Sequence, residues 1–387
     1  MAVKPDKSSE HVALPDIAAL TGARWFAGKD RTVVGIERVL EVALEGAAGA
    51  SVALVDLVYD GGESERYALA LRDGRECDGD DHVWAALAGR AGVDATPGRS
   101  RFLAEDLSNT VVSLEDRLVL KLFRRLEPGP HPEAELLGAF AGLSQAPDLL
   151  GVVEHDDMVV ALVEEYVAGV PVGWEGLIER LAAGDDALGD AGDLGTLAAA
   201  MHSQLAARLG TRLGVRADVE AERTAAVAAT VGIEPSPAIA ASLARLDRLV
   251  GAPVQRVHGD LHVGQVLRTS RGLVAIDFEG DPSLPLSERS RERCALVDVA
   301  SLLLSLDHAG CAAARRTPSF DWRAWSRRAR AACVKAYERD AGLVDLELLR
   351  ALEVAKELRE LDYATRWLPE WLYAPTTVLP TLLEDVA

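Results

Sequence analysis

The chain of 387 residues is poor in cysteine and contains no long apolar run. Its four cysteines form no CxxC pair and no Cys/His cluster with zinc-site spacing, which excludes a zinc finger and indicates reduced thiols in a cytoplasmic protein. They are Cys77, Cys294, Cys311 and Cys333. The N-terminal segment MAVKPDKSSEH has no apolar core, and no uninterrupted apolar stretch reaches the ~18 residues of a membrane span. We therefore expect neither a signal peptide nor a membrane helix.

Positive charge is also scarce, because 41 Lys and Arg residues stand against 61 Asp and Glu residues, for a formal net charge of -20. A surface of this sign repels nucleic-acid phosphates and anionic membranes, so we expect neither as a partner. It attracts cationic small molecules, although an acidic excess usually serves solubility alone. Hydrophobic residues make up 49% of the chain, enough for the core of two or three domains or of one two-lobed unit.

The first 90 residues indicate a small unit rich in strands. A short helix is expected around 13–21, and turn sequences then separate three runs of strand composition, which predicts an antiparallel meander. These runs are Thr32–Leu44, Val52–Tyr59 and Arg66–Leu71. The segment DDHVWAALAGR that follows predicts a helix with an aspartate cap.

Residues 91–170 indicate a second unit, and residues 171–387 a mostly helical one. In the second unit, VVSL and RLVLKLF flank a tight hairpin turn at Glu115 and Asp116, PEAELLGAFAGL predicts a helix with a proline at its start, and MVVALVEEYV predicts a buried strand. In the third, two short apolar strands, PVQRVH and LVAIDF, interrupt segments with helical periodicity. Those segments are 193–208, 237–250, 296–307, 321–339 and 345–367.

The strongest chemical signal is HGDLHVGQVL at 258–267, followed by VAIDFEG at 274–280. Phosphoryl transfer to a hydroxyl needs a carboxylate beside the nucleophile and oxygen ligands for magnesium on the phosphates. Protein kinases supply these as an Asp, an Asn five residues later and a second Asp at the end of a following strand. Asp260, Gln265 and Asp277 occupy those positions here, so we predict Asp260 as the base and the other two as metal ligands. The alternative, a turn residue and a strand terminator, does not account for the joint pattern.

The nucleotide side of the site should supply a lysine on a strand and a glutamate on the next helix. Lys121 lies between apolar residues in RLVLKLF, on the face of the strand that carries Val119, which favours an inward-pointing side chain over a solvent-exposed one. Glu133 and Glu135 both qualify as its partner, and we prefer Glu135, which lies a full turn into the helix.

The phosphate-binding and adenine-binding segments carry weaker signals, because the chain has neither GxGxxG nor GxxxxGK[ST]. Ser108, Asn109 and Thr110, in the turn before the hairpin, can present backbone N–H groups to phosphates, although an ordinary polar turn has the same composition. The run VEEYVAG suits an adenine hinge, with Glu165 and Val167 offering a backbone carbonyl and a backbone N–H.

Several of these motifs together resemble the bacterial maltokinase-like family, which is related to the aminoglycoside phosphotransferases. They are HGDLHxGQVL with IDFEG, the early RWFxGK, the run SNTVVSLEDRLVLKLFRRL and the late WLPEWLY. The resemblance implies an α+β, two-lobed protein-kinase-like fold with an extra N-terminal cap subdomain at 1–90, a nucleotide-binding intermediate subdomain at 91–170 and a mostly helical C-lobe at 171–387. It also implies ATP and Mg²⁺ as cofactors, and the same roles for Asp260, Gln265 and Asp277.

Two departures from the maltokinases bear on the substrate. The chain is shorter than typical maltokinases, and Asp281 stands where they usually have a glutamate. Shorter members of this kind resemble a branch that phosphorylates glucosamine, so we expect glucosamine to be converted to glucosamine 6-phosphate by a cytoplasmic monomer. Maltose as acceptor is the first alternative, and a catalytically silent kinase-like sensor of nucleotide or sugar is the second.

A sugar site beside Asp260 needs carboxylates or amides for the hydroxyls and an aromatic face for the ring. The expected contacts are Asp260, His262, Asp298, Glu357, Tyr363 and Trp367. The aromatic pair Tyr363 and Trp367 is spaced for one helical face, although such residues more often pack a core. Asp298 is either a helix N-cap or a residue that orients the catalytic loop, and His202 and His258 are expected to be hydrogen-bonded structural histidines.

Overall fold

The computed structural model describes residues 14–23, 25–26, 28–29, 31–77, 80–103, 109–230, 236–282 and 284–384. The described chain divides into two compact units. The first lies within Met1–Pro130 and Leu149–Val167, and the second within His131–Asp148 and Ala168–Ala387. The N-terminal segment MAVKPDKSSEH and Ser108, both used in the predictions above, lie outside the described residues.

The first unit begins with helix α1 (Ile17–Thr21) and an antiparallel sheet. Its strands are β1 (Val33–Ala43), β2 (Ala50–Tyr59), β3 (Ser64–Arg72) and β4 (Arg75–Glu76), paired in that order, with β8 (Arg125–Leu126) also on β3. The predicted meander is therefore confirmed. Helix α2 (Asp81–Arg90) follows, and the Asp80 carboxylate accepts from the backbone N–H groups of His82 and Val83, which confirms the predicted aspartate cap.

The second sheet of this unit is also antiparallel, in the order β5-β6-β7-β10-β9. Its strands are β5 (Ser100–Phe102), β6 (Thr110–Leu114), β7 (Leu118–Leu122), β9 (Leu149–His155) and β10 (Met158–Glu165). Glu115, Asp116 and Arg117 connect β6 to β7, and Glu115 and Asp116 have φ angles of 53° and 50°, as the central residues of a primed turn require. The predicted hairpin is confirmed, and Lys121 lies on a central strand rather than at an edge.

One apolar core joins the two sheets of the first unit. Trp84 of α2 is fully buried and packs in a cluster with Leu54 and Ala68 of the first sheet and Leu120 and Leu162 of the second. The segments predicted as cap and intermediate subdomains thus share a core up to residue 130, and the boundary between them at residue 90 stays a prediction.

The second unit is mostly helical. Its helices are α3 (Pro132–Phe140), α4 (Trp174–Ala182), α5 (Leu188–Leu209), α6 (Arg216–Ala228), α7 (Pro237–Ala244), α8 (Leu286–Arg289), α9 (Leu296–Arg316), α10 (Trp322–Ala341), α11 (Leu346–Trp367) and α12 (Tyr373–Glu384). Each predicted helical segment lies within or around one of these, and the short hairpin is β14 (Val266–Thr269) with β15 (Gly272–Ala275). The strand β11 (Val170–Pro171) pairs with β14, and β12 (Arg212–Leu213) with β13 (Pro253–Val254). The predicted strand PVQRVH shrinks to β13, because its remaining residues run into the loop that carries Asp260.

Helix α9 forms the centre of this unit. Among the described residues it is long and apolar enough to cross a membrane, with a mean hydropathy of 1.4, but its apolar window is entirely buried in the protein. Such burial identifies the core helix of a folded domain, against which α4, α10, α11 and α12 pack. Side chains of α9 and α11 contact the loop that carries Asp260, so the packing of this core also fixes the positions of those side chains.

Candidate active site

The loop that carries Asp260 places it directly after a glycine that no other residue can replace without strain. Gly259 has a φ of 88°, and a Cβ atom there would lie 3.2 Å from the Cα atom of Gly280. This geometry explains why the residue before Asp260 is glycine rather than the arginine of protein kinases. His258 is buried beneath the loop, where its Nε2 lies 3.1 Å from the backbone oxygen of Ile276 and its ring packs on Phe278 at 4.7 Å.

Asp298, in the first turn of α9, accepts hydrogen bonds from the backbone of this loop. Its two carboxylate oxygens accept the backbone N–H groups of His258 at 2.9 Å and Gly259 at 2.8 Å. Burial disfavours its charge, but a hydrogen bond from His202 and these backbone donors keep the pKa of Asp298 below its ordinary value. Of the two readings that the sequence left open, the structure favours loop orientation, because α9 has no side-chain N-cap bond. Both oxygens of the buried Asp298 already accept hydrogen bonds from the protein, so it supports the loop rather than offering an oxygen to a sugar.

Gln265 and Asp277, the predicted metal ligands, lie side by side. The Gln265 side-chain amide donates to Asp277 Oδ2 at 2.8 Å, and the backbone N–H of Ile276 donates to the backbone carbonyl of Gln265. Asp277 adopts a φ of 64°, a left-handed conformation that only glycine, asparagine and aspartate adopt readily. The backbone turn after β15 thus directs the Asp277 carboxylate out of the strand register.

Two further carboxylates extend this group. One oxygen each from Glu133, Asp277 and Glu279 lie within 4.8 Å of one another. Glu133 is fully buried on α3, and its Oε1 accepts the backbone N–H of Phe278 at 3.3 Å. Carboxylate oxygens are the donors that Mg²⁺ prefers, so the residues present fit this ion. The sequence analysis named Glu133 only as a possible lysine partner and did not name Glu279, because their approach depends on how α3 packs.

Glu135, the preferred partner of Lys121, is engaged elsewhere. Its Oε2 accepts from Arg256 Nε at 2.9 Å, and Arg256 is itself buried and donates to the backbone carbonyls of Arg289 and Arg291. This ion pair anchors α3 to the segment that enters the catalytic loop. Helical geometry separates the two glutamates by about 200°, so that Glu133 and Glu135 face different neighbours.

The two glutamates should therefore respond differently to the same substitution. Glu133→Gln removes a charge from the Asp277 group, and we expect Mg²⁺-dependent ADP affinity to fall ~10-fold or more, the usual scale for a residue supporting a metal site. Glu135→Gln weakens an anchoring ion pair, and we expect a stability loss of about 1–2 kcal/mol with ADP affinity nearly unchanged. Calorimetric titration with and without magnesium, together with thermal unfolding, checks both. If instead Glu135→Gln lowers ADP affinity and Glu133→Gln lowers only stability, Glu135 is the residue that supports the nucleotide site.

The predicted nucleotide residues of the first unit that the structure describes lie on or next to three strands of its second sheet, β6, β7 and β10. Lys121 is only 4% exposed and pairs with Val111 and Leu162 in the ladder, as an inward-pointing lysine requires. The side chains of Asn109 and Thr110 both accept from Arg124, at 3.2 and 2.8 Å, so their role is to fix the turn. Glu165 ends β10, and Val167 follows it in a segment that is neither helix nor strand.

An ammonium group contacts Asp260. Lys356 Nζ on α11 lies 2.9 Å from Asp260 Oδ1 and 2.8 Å from Glu360 Oε1, with Asp281 Oδ2 at 3.4 Å. The sequence analysis named neither Lys356 nor Glu360, because the helix that carries them lies almost a hundred residues from the loop in the chain. Their i, i+4 spacing on α11 was the available signal.

The ring of Trp174 lies close to three other rings beside the loop that carries Asp260. Trp174, the first residue of α4, lies 5.6 Å from the ring of His262, 6.4 Å from that of His308 and 5.5 Å from that of Trp371. Burial, the largest influence, lowers the pKa of His262, whose Nδ1 accepts the backbone N–H of Gly264. Sequence reasoning missed Trp174, since a tryptophan at a helix start carries no functional signal.

Beyond these rings lies the predicted sugar residue Glu357. It is fully buried on α11, and its Oε1 lies 2.9 Å from Nε2 of His308. Its Oε2 has no hydrogen-bond partner among the described residues. Burial raises the pKa of Glu357, and a cationic ligand at Oε2 would favour the ionised form.

Tyr363 and Trp367, the predicted aromatic pair, are 38% and 51% exposed, so neither packs the core. Tyr363 lies close enough to Glu360, Asp260 and Asp281 for their charges, after burial, to raise the pKa of its hydroxyl. Tyr363 therefore borders Asp260, whereas Trp367 lies one turn further along an exposed helix face.

Residues 100–352 match the family described as phosphotransferase enzymes, and residues 20–99 match the maltokinase N-terminal cap domain. The chain belongs to this phosphotransferase family. Its predicted fold class, an α+β kinase-like fold with an N-terminal cap and a mostly helical C-terminal part, is confirmed.

Relatives of this phosphotransferase include two glucosamine kinases. It is 35% identical to that of Streptacidiphilus jiangxiensis over 86% of each chain. It is 34% identical to that of Mycolicibacterium smegmatis over 74% of this chain and 80% of the relative. A solved glucosamine kinase in complex with glucosamine, ADP and inorganic phosphate is 30% identical, with a TM-score of 0.70, and covers 95% of this chain and 99% of its own.

Proposed function

We propose that this phosphotransferase is an ATP-dependent glucosamine kinase that phosphorylates the 6-hydroxyl and forms glucosamine 6-phosphate. The observation that carries the proposal is the Asp260 loop, braced by Asp298 and flanked by the Asp277 group, in a chain whose relatives are glucosamine kinases. We further propose that the enzyme acts as a cytoplasmic monomer.

In the proposed reaction, Asp260 orients the acceptor hydroxyl and receives its proton as the γ-phosphoryl group is transferred. Mg²⁺, when bound, neutralises charge on the phosphates, and Gln265 and Asp277 would hold it with Glu133 and Glu279 as neighbouring oxygen donors. The buried network below the loop keeps the Asp260 backbone fixed, so that no reorganisation is needed when the substrate binds.

The nucleotide is assigned to the second sheet of the first unit. Lys121 would contact the phosphates, and the turn of Asn109 and Thr110, together with Ser108 before it, would cover them through backbone N–H groups. The backbone of Glu165 and Val167 would read the adenine edge.

Glucosamine carries a protonated amine, and the charge of the site suits it. Asp260 and the buried Glu357 both bring a carboxylate to this part of the second unit. Glu357 Oε2 has no hydrogen-bond partner among the described residues and can accept from the amine. A charge-assisted hydrogen bond to –NH₃⁺ is about twice as strong as a neutral one. Trp174 offers an aromatic face next to His262, and Tyr363 borders Asp260. We propose these residues, with Trp367 at the outer edge, as the sugar contacts.

The substrate test is kcat/KM for glucosamine against glucose, N-acetylglucosamine and maltose under one set of conditions. We expect glucosamine to be preferred by ~10- to 100-fold, because losing a charge-assisted contact costs about 1.5–3 kcal/mol. Glucose or N-acetylglucosamine used equally well would exclude an amine-specific site. Maltose used best would make the protein a maltokinase.

A catalytically silent sensor is the candidate from another class. Against it, Asp260, Gln265, Asp277 and Lys121 are all residues competent for the reaction. Clear ADP binding without ADP release on monosaccharides, disaccharides and aminoglycosides would favour the sensor.

A further inference from the structure

Lys356 is a buried cation in contact with the catalytic aspartate. Its side chain is 10% exposed, and its Nζ atom faces three carboxylates, those of Asp260, Asp281 and Glu360. A lysine ammonium has three N–H donors, so these three acceptors match its full hydrogen-bonding capacity. Arg359, one residue before Glu360, approaches the same Asp281 oxygen at 3.3 Å.

The ammonium remains charged in this position. Burial opposes the charge, but Asp260, Asp281 and Glu360 outweigh it and raise the pKa of Lys356. Burial likewise opposes the charge of Glu360, and Lys356 lowers its pKa. A cation held so tightly cannot serve as a proton donor near neutral pH, so its contribution must be geometric and electrostatic.

The two oxygens of Asp260 are not equivalent. Oδ1 accepts from Lys356 at 2.9 Å, which fixes the rotation of the carboxylate. Oδ2 lies 3.9 Å from His262 Nε2, too far for a hydrogen bond, and accepts none from the residues that the structure describes. Because one oxygen is tied down, the other points in a defined direction and keeps its lone pairs.

We propose that Lys356 is a positioning residue that fixes Asp260 Oδ1 and thereby makes Oδ2 the proton acceptor. This inference rests on the proposed kinase function. As the sugar oxygen bonds to the γ-phosphorus, its O–H bond breaks and the proton passes to Oδ2. The bond between the γ-phosphorus and the bridging oxygen breaks, and ADP leaves with that electron pair. The second-unit helix α11 thus acts on catalysis through the orientation of one carboxylate.

The test is chemical rescue of Lys356→Ala, which removes three carbons and the ammonium. We expect kcat to fall ~10- to 100-fold with little change in KM for ATP, as for a misplaced general base. Added n-propylammonium, which replaces the lost atoms, should restore kcat at least ~5-fold, because the ammonium again fixes Asp260. Tetramethylammonium, which has no N–H donor, should not. Lys356→Met, whose side chain fills the space, should lose activity without rescue, and Lys335→Ala, on the exposed face of α10, should match the wild type.

Two results would overturn the inference: full activity in Lys356→Ala, or an activity loss that n-propylammonium leaves unchanged while ADP still binds normally. If Lys356→Ala does not bind ADP, the same rescue is measured in Lys356→Ala/Asp281→Asn, where fewer carboxylates are left uncompensated. ATP hydrolysis without a sugar is followed in parallel, because transfer to water uses the same base. Wild-type hydrolysis without transfer to glucosamine would contradict the proposed acceptor alone, whereas hydrolysis that is insensitive to Lys356 would contradict the positioning role alone.

Discussion

Replacing Asp260 by asparagine is expected to reduce turnover by ~10²-fold or more while ATP binding stays near normal, since a positioned base contributes about this much. The amide cannot take up the proton of the acceptor hydroxyl. It can still accept from Lys356 through its oxygen, so the loop should remain folded under Asp298. Coupled ADP-release kinetics at saturating ATP and sugar, with calorimetric titration of nucleotide, measure the two quantities separately.

The matched control is Asp362→Asn. Asp362 lies on the same helix as Lys356 but pairs with Arg366 at the surface, so we expect wild-type turnover. If Asp260→Asn keeps most of its turnover while the control behaves as expected, another group must be the base and the role assigned to the loop is wrong.

Replacing Asp277 by asparagine is expected to have the larger effect, a loss of turnover of ~10³-fold or more, the scale on which charge stabilisation assists phosphoryl transfer. Asparagine tolerates the left-handed φ of 64° at this position, so the backbone should not change. The loss should come from the missing charge beside Glu133 and Glu279. Turnover measured as a function of magnesium concentration checks this, and we expect a higher magnesium requirement along with the lower maximum.

Gln265→Asn provides the comparison for Asp277. It keeps the amide oxygen as ligand and shortens the side chain by one methylene, so we expect partial activity. The shorter side chain also draws the amide away from Asp277 Oδ2, to which Gln265 donates at 2.8 Å in the native protein, and some activity should be lost on that account. Normal magnesium dependence in Asp277→Asn would show that the metal lies elsewhere.

Much of the fold could be predicted from local patterns. The meander β1–β3, the hairpin at Glu115 and Asp116, the capped helix α2 and the long helices of the second unit all follow from strand alternation, turn residues and helical periodicity. Helices α4, α6, α8 and α12 were not predicted. The sequences of α4 and α6 are mixed with charged residues, α8 has only four residues, and α12 contains two prolines, which disfavour a helix interior. Strand β9 was missed for a related reason: it is only partly buried and shows no clean alternation.

The site was predictable where its residues are close in the chain. Asp260, Gln265 and Asp277 lie within 20 residues, and their spacing alone carries the chemical signal. Lys121 could be placed on an inward face because strand alternation is strictly local. The sequence by itself therefore determined the class of reaction, and it predicts Asp260 as the base and Gln265 and Asp277 as metal ligands.

Only the tertiary structure decided which distant side chains meet this loop. Packing of α3 brings Glu133 to Asp277 and commits Glu135 to Arg256, although the two glutamates are nearly adjacent in sequence. The buried helix α9 places Asp298 under the loop, and α11 places Lys356 against Asp260. These contacts join residues that are separated by tens of positions. They depend on the rotation and depth at which each helix packs, and periodicity predicts that a helix has a buried face without specifying the neighbour that this face will contact.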